Sequence, residues 1–446
     1  MMALETVLAR GRSAFLALEK GSAEKGRVLV AVGNDACDAD SIVSSIGLAW
    51  WWSARRSQDS STSSANSSTY ANAQDIGTPE IAVALANVPR REFRLRKDAE
   101  LLFERAGVSS ENLIFVDEAA ALSGKLPEES NLSDSTVLGI TDHNAVTGRI
   151  SGIFGEDTKV LAVVDHHQDL GMYKDAQVRV LDEGCGSACT LVAEQILSEE
   201  GLEVPDELVK MLLGVILLDT RDFDPSAKKY NDRDVRVHKA LCERFTSVLP
   251  DRAGQTELYN DLIAARGDVE GFSASDLLRL DFKSTTLPGG TFQGSTIGFS
   301  SIFDSALGFV ERAGADDMTL DEALMEMMNE HNLDALFCLC KATKVPGHDK
   351  KKKSVIARAR NDQIVPPVVA MLKQVPEGLP GNLADLPLFG ADMQNIVNKG
   401  FGVIDDPEIV TKAQMPTPDM STAFHIRRMI TRKTFMPTVL TFLETH

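Results

Sequence analysis

Three unbroken apolar runs, at 28–32, 137–140 and 160–164, each give way to a cluster of aspartate, asparagine or histidine. A run without polar alternation needs both faces covered, which describes a central strand of a parallel sheet. In open sheets of that kind, ligands bind beyond the carboxyl ends of the strands. The polar clusters fall there. They read Gly33-Asn34-Asp35-Ala36-Cys37-Asp38-Ala39-Asp40, Thr141-Asp142-His143-Asn144 and Asp165-His166-His167, and a fourth, Leu218-Asp219-Thr220, closes a helical pattern. Hard oxygen donors with one or two imidazoles suit a pair of divalent ions that hydrolyse phosphate esters or anhydrides.

The segments between these runs alternate strand and helix. An N-terminal helix ends over 14–20, and Ser41 is placed to cap a helix through about Trp52, with Ile42, Val43, Ile46, Ala49 and Trp50 at helical spacing. Residues 53–79, rich in Ser, Asn and Thr, read as a surface insertion. Strands are expected at 81–85 and 113–116 around a helix at 98–106, which gives a doubly wound parallel sheet. Gly186-Ser187 opens a helix through Leu197. Pro205 starts another, with Leu208, Met211, Leu212, Val215 and Leu218 on one face and Asp219 at its end.

At 446 residues the chain exceeds one ordinary core. A catalytic domain at 1–232, a linker at 233–254 inside the charged, helical region 227–266, and a smaller α/β domain at 255–446 are expected. The latter holds strands at 296–300, 336–340 and 354–359, a helix at 320–331 and a Pro/Gly-rich stretch at 375–387.

Composition narrows the function classes. With 43% apolar and 25% charged residues the chain reads as globular, and a net charge of −19 disfavours non-specific binding to nucleic acid. Six cysteines form no CxxC pair, so free thiols in a reducing compartment are expected, and Cys338-Leu339-Cys340 reads as buried strand. No run approaches the ~18 apolar residues of a membrane span. The first residues lack a secretory apolar core, and Glu5 and Glu19 speak against a transit peptide. The expected address is cytoplasmic, with no membrane partner.

A lone D-x-D in a loop is usually a turn or cap. Four acidic or imidazole ends in sheet order are not explained by capping, which makes Asn34, Asp38, Asp40, Asp142 and Asp219 joint candidates. Adjacent histidines after a strand point to opposite sides, so one of His166 and His167 can ligate metal while the other meets substrate. Gly184-Cys185-Gly186-Ser187 lacks the third glycine and the Walker lysine of a nucleotide loop. Ser187, at a helix start, can still offer backbone N–H groups to a phosphate.

Together these motifs resemble the DHH phosphoesterase superfamily, in the branch with a DHHA2-type second domain, which includes pyrophosphatases, exopolyphosphatases and prune-like proteins. Pyrophosphatases have His where this chain has Asn34, whereas exopolyphosphatases and prune-like members share Gly-Asn. The segment Asn87-Val88-Pro89-Arg90-Arg91-Glu92-Phe93-Arg94-Leu95-Arg96 is similar to an exopolyphosphatase segment. The resemblance implies an active site in a cleft between two domains and two divalent cations, Mg²⁺ or Mn²⁺. Asp38 and Asp142, with Asn34 weaker or through water, would hold one. Asp40, Asp142, His166 and Asp219 would hold the other, Asp142 bridging. His167 would face phosphate and Asp165 would support both histidines.

From the second domain, Asp281-Phe282-Lys283 is similar to the family's Asp-aromatic-Lys element, and Thr431-Arg432-Lys433 matches its Ser-Arg-Lys element. Lys283, Arg432 and Lys433, with Arg90, Arg96 and Ser187, are thus the candidates to bind substrate, since Arg grips phosphate bidentately and Lys adds a compact charge. The lysines at 350–353 read as a solvated hairpin tip or an electrostatic guide for an anionic polymer. The expectation is an exopolyphosphatase acting on inorganic polyphosphate. A pyrophosphatase, or a prune-like phosphodiesterase or signalling scaffold, remains the alternative.

Overall fold

A computed structural model describes residues 3–20, 28–61, 79–126, 132–146, 148–249, 251–345, 347, 349–374, 404–405, 409, 421–427 and 432–445. The chain divides into two compact units, Met1–Asp268 and Val269–His446. Region 233–254, expected as linker within a helical stretch, carries the helix Asp232–Arg244 and the start of the helix Arg252–Gly267, both within the first unit.

The first unit is built on six strands: β1 Val28–Val32, β2 Ile81–Ala86, β3 Ile114–Phe115, β4 Thr136–Thr141, β5 Val160–Asp165 and β6 Val178–Leu181. They pair in parallel in the order β3-β2-β1-β4-β5-β6. Every residue of β1, β4 and β5 is buried, as their unbroken apolar sequences require. Alternate residues feed two cores: Leu29 and Ala31 join Trp50 and Leu212 on one face, and Val28, Val30 and Val32 join Phe15 and Phe154 on the other. The strand order reverses between β1 and β4. At such a switch point the loops after the two strands diverge and leave a crevice, and Asn34 and Asp142 follow the strands that flank it.

The helix after β1 runs over Ala39–Ser61, beyond the expected end near Trp52, because Ser53 and Ala54 are still buried beside the three tryptophans. Of the expected insertion 53–79, residues 62–78 lie outside the described residues. The helix Asp206–Asp219 is buried at every position from Met211 to Leu218, which fits a sequence apolar all round. Among the described residues no helix is long and apolar enough to cross a membrane.

The second unit holds β7 Phe282–Thr286, β8 Thr296–Ile302, β9 Ala335–Cys340, β10 Lys352–Ala359, β11 Ile404–Asp405 and β12 Ser421–Arg427. Their order is β11-β12-β10-β9-β8-β7, with β8 and β9 parallel and the other pairs antiparallel. Phe299, Phe337 and Phe435 meet in its core, the first two stacked at 5.5 Å. The stretch 375–387 lies outside the described residues.

Candidate metal centre

Asn34 and Asp142 meet across the switch point. Asn34 Nδ2 donates to Asp142 Oδ2 at 2.7 Å, while Asn34 Oδ1 accepts from the Ala36 N–H at 2.9 Å. The backbone donor fixes the amide, so its nitrogen rather than its oxygen faces Asp142. Ser41 does not cap its helix. Its hydroxyl donates to Asp142 Oδ2 at 2.6 Å and accepts from the Asn34 N–H, and Asp38 takes the capping place by accepting from the Ser41 N–H at 3.1 Å. Gly33 permits this approach, because a Cβ there would lie 2.4 Å from that of Ser41. Cys37 (φ 49°) and Asp142 (φ 59°) hold left-handed backbone conformations, a strain that tends to collect at functional loops.

Both histidines converge on Asp142 instead of parting to opposite sides. His166 Nε2 lies 3.2 Å and His167 Nδ1 3.6 Å from Asp142 Oδ1, with the rings edge to face at 4.6 Å. His166 Nδ1 meets the Cys185 carbonyl at 3.0 Å. A carbonyl only accepts, so Nδ1 carries the proton and Nε2 is the atom turned to the carboxylates, which is how a metal-binding histidine is usually oriented. Asp165, fully buried, accepts from the His166 and His167 N–H groups and binds His167 Nδ1 at 2.8 Å. Asn144 donates to its other oxygen. Against the push of burial, hydrogen bonds from His167 hold the Asp165 carboxyl below the usual range.

Asp40 and Asp219 complete the cluster from helix ends. Asp40 accepts from the Ser187 hydroxyl at 2.7 Å and from the Ala188 and Cys189 N–H groups, so it already occupies the N-terminus of the helix Ala188–Ser198. Asp219 closes its own helix with Oδ2 buried and without a hydrogen-bond partner among the described residues, and Arg266 stands 3.9 Å from Oδ1. Burial, with the charges of Asp40 and Asp38, pushes Asp142 up to about 6. Burial and Asp40 hold Asp219 well above the usual range. Against its burial, His166 is driven up to about 10 by its bond to Asp142 and the charge of Asp40. Carboxylates that repel one another, one with an unclaimed oxygen, and an imidazole whose Nε2 proton a metal ion can displace fit hard divalent cations. One donor atom each of Asp142, His166 and His167 lies within 4.8 Å of the others.

The basic candidates separate into different roles. Arg90 pairs with Glu118, lies over the Phe115 ring and donates to Leu113 O, so its guanidinium serves packing. Arg96 is 4% exposed and donates to the carbonyls of Ala36, Cys37 and Glu92. It clamps the loop that carries Asp38. In the second unit, Arg432 donates to Asp281 O at 2.6 Å and pairs with its carboxylate at 2.7 Å, which joins the Asp281-Phe282-Lys283 and Arg432 elements. Lys283 is half-buried on β7, and the Lys433 side chain lies outside the described residues.

Several residues of the centre are not among the site candidates read from the sequence. Ser41, Asn144 and Arg266 each touch a candidate ligand or its support, and buried Asp234 binds the Gly186 N–H and the Thr190 hydroxyl, fixing the loop whose Cys185 carbonyl orients His166. Only the dense polar spacing of 141–144 could have pointed to Asn144. Arg266 and Asp234 come from the charged, helical region 227–266.

Comparison with known proteins bears on both units. Residues 28–218 match the DHH family, N-terminal domain, and residues 260–442 match the DHHA2 domain. A Schizosaccharomyces pombe protein named "Putative exopolyphosphatase" is 29% identical over 56% of this chain and 58% of its own length. Exopolyphosphatase PRUNE1 of Rattus norvegicus is 26% identical over 70% of this chain and 59% of its own. The chain thus spans about six-tenths of the length of these relatives. A cobalt-dependent inorganic pyrophosphatase of Clostridium perfringens is 24% identical over 52% of this chain and 42% of its own. Among solved structures, a Methanococcus jannaschii protein titled "putative family II inorganic pyrophosphatase" has the same fold, with a TM-score of 0.50, 16% identity, and coverage of 94% of this chain and 99% of that one.

Proposed function

The chain belongs to the DHH family and carries a DHHA2 domain, and on that premise we propose that it is a metal-dependent phosphoanhydride hydrolase, specifically an exopolyphosphatase that releases terminal phosphate from inorganic polyphosphate. The observation that carries this reading is the convergence of Asp38, Asp40, Asp142, His166 and Asp219 at one sheet edge, with Asp142 raised to about 6 by burial and by carboxylates that cations would reconcile. These five residues would hold two divalent ions, Mg²⁺ or Mn²⁺. The relative named as a cobalt-dependent pyrophosphatase supports a divalent requirement.

When bound, such ions supply positive charge to the transferring phosphoryl group and lower the pKa of an attacking water. Asp142 would serve both ions, as the resemblance implies. Ser41 and Asn34 hold Asp142 Oδ2, so Oδ1 is the oxygen directed to the histidines. His167, its Nδ1 engaged by Asp165, presents Nε2 to a phosphate oxygen. Within the second unit, Lys283, Arg432 and Lys433 are proposed as phosphate-binding residues, with Asp281 fixing the Arg432 fork.

Asn34 favours the exopolyphosphatase reading over the pyrophosphatase one, since an amide turned nitrogen-first toward Asp142 leaves one fewer soft donor to the metals. The test is phosphate release from pyrophosphate, tripolyphosphate, long polyphosphate and a cyclic nucleotide with Mg²⁺ or Mn²⁺. Faster turnover of the longer phosphates supports the reading. Preference for pyrophosphate would replace it by the pyrophosphatase, and cleavage of the cyclic nucleotide alone by the prune-like phosphodiesterase.

A further inference from the structure

We propose that Arg149 binds a substrate phosphate at this centre, an inference that rests on the phosphohydrolase reading above. Arg149 sits in the first turn of the short helix Gly148–Phe154 after β4, and it is half-buried. Its Nη1 donates to Asn87 O at 2.9 Å and to Asp35 O at a longer 3.4 Å. Asp35 adjoins Asn34, so the guanidinium rests on the loop that meets Asp142. Gly148 makes room for this: it has φ +58°, and a Cβ there would lie 2.1 Å from Asp35 Oδ2.

What singles out Arg149 is the use of its donors. Arg90 is neutralised by Glu118, Arg266 by Asp98 at 2.6 Å, and Arg432 by Asp281, while Arg96 is buried under its loop. Arg149 touches only backbone carbonyls, and no carboxylate lies within ion-pair distance of it among the described residues. Both bonds use Nη1, so the Nη2 and Nε edge, the pair of parallel donors that grips phosphate, is left for a ligand. The carbonyl clamp fixes the fork beforehand, which lowers the ordering cost of binding. Asn87 heads the segment that resembles exopolyphosphatases, and here its carbonyl and side chain serve as the mount: Asn87 Nδ2 donates to Asp35 Oδ1 at 3.0 Å.

The experiment uses the full chain with Arg149→Gln, which keeps a donor for the carbonyls but no charge, and with Arg149→Lys and Arg149→Ala. Steady-state hydrolysis of tripolyphosphate, inhibition by inorganic phosphate, calorimetric binding of imidodiphosphate with Mg²⁺, and Mg²⁺ or Mn²⁺ affinity are measured on each. Loss of one charge-assisted contact should weaken imidodiphosphate and phosphate binding about tenfold to a hundredfold in the Gln and Ala variants. The metal dissociation constant should stay unchanged, and Lys should recover only part of the loss, because a point charge cannot reproduce the fork. Equal phosphate and imidodiphosphate affinity in wild type and Arg149→Gln overturns the assignment. So does a fall in metal affinity that accounts for the loss, since Arg149 would then merely brace the Asp38 loop. If the wild-type chain neither binds imidodiphosphate nor hydrolyses tripolyphosphate with any divalent ion, the phosphohydrolase reading fails and the inference with it.

Discussion

Asp219→Asn should stabilise the metal-free protein and remove its response to metal. In the folded chain Asp219 Oδ2 is buried without a partner among the described residues, and burial and Asp40 hold the carboxyl well above its usual range. An unsatisfied buried polar group costs about 1–3 kcal/mol, more when charged. Asn removes the charge at constant shape. The lost contact to Arg266 is long, 3.9 Å, and Arg266 keeps its 2.6 Å bond to Asp98, so no new charge is stranded. At about 2–4 °C per kcal/mol for a unit of this size, the variant should melt on the order of 5 °C higher in chelator. The sign with pH follows from linkage. The folded pKa lies above the unfolded one, so the folded chain binds the extra proton and wild-type stability falls as pH rises past the ordinary carboxylate range. The variant's advantage should open over that interval. Divalent ion at about a hundredfold its dissociation constant should then add about 2.7 kcal/mol to wild type and much less to the variant, reversing the order. Thermal melts from about pH 4 to 8 with chelator or Mg²⁺ read both. A variant less stable than wild type in chelator, or one that gains as much from Mg²⁺, would refute the placement of Asp219 in a cation site.

Asn34→His exchanges an amide nitrogen facing Asp142 for an imidazole; metal titrations on polyphosphate and pyrophosphate should show activity shifting toward Mn²⁺, and an unchanged Mg²⁺/Mn²⁺ ratio would place residue 34 outside the metals' coordination. Arg96→Lys breaks a clamp on three carbonyls under the Asp38 loop; it should lower thermal stability and weaken metal binding together, whereas a raised KM with unchanged metal affinity would mean that Arg96 grips phosphate after all. Against the push of burial, Arg12, the Phe115 N–H and Arg90 hold Glu118 at about 2. That contribution is present above pH 4.5 and lost as pH falls toward 2, so Glu118→Gln should lower stability at neutral pH and flatten its loss between pH 4.5 and 2 in denaturant melts.

Much of the centre was legible because its scaffold imposes an unusual pattern. A strand buried on both faces must be apolar throughout, so β1, β4 and β5 announced themselves and the polar residues after them could be placed at one sheet edge. The helix that delivers Asp219 was equally plain, being buried on all sides over its second half. Charged residues were less legible, because a sequence shows a charge but not its partner. Arg90 and Arg96 sit in one segment, yet one faces Glu118 and the other folds under a loop that precedes it by some sixty residues in the chain. Ser41 looked like a cap because a serine before an apolar period usually is one; the pull of Asp142 and the space over Gly33 redirect it. The helices around Asp234 and Arg266 read as a charged, helical linker region because their exposed faces dominate the composition, yet buried Asp234 and half-buried Arg266 reach residues of the candidate centre. Arg149 carries no motif, and only the fold shows which carbonyls hold it.

The most direct test of the central claim is phosphate release from tripolyphosphate by chelator-treated protein, with Mg²⁺ or Mn²⁺ titrated back, for wild type and Asp142→Ala. Asp142 would serve both proposed cations and is held by Ser41, Asn34 and His166. Wild type should be inactive in chelator and recover with either ion. Asp142→Ala should remain folded yet retain less than about a tenth of wild-type kcat, a barrier increase above roughly 1.4 kcal/mol. Hydrolysis that persists in chelator, or an Asp142→Ala protein that turns over at near the wild-type rate, would contradict the account.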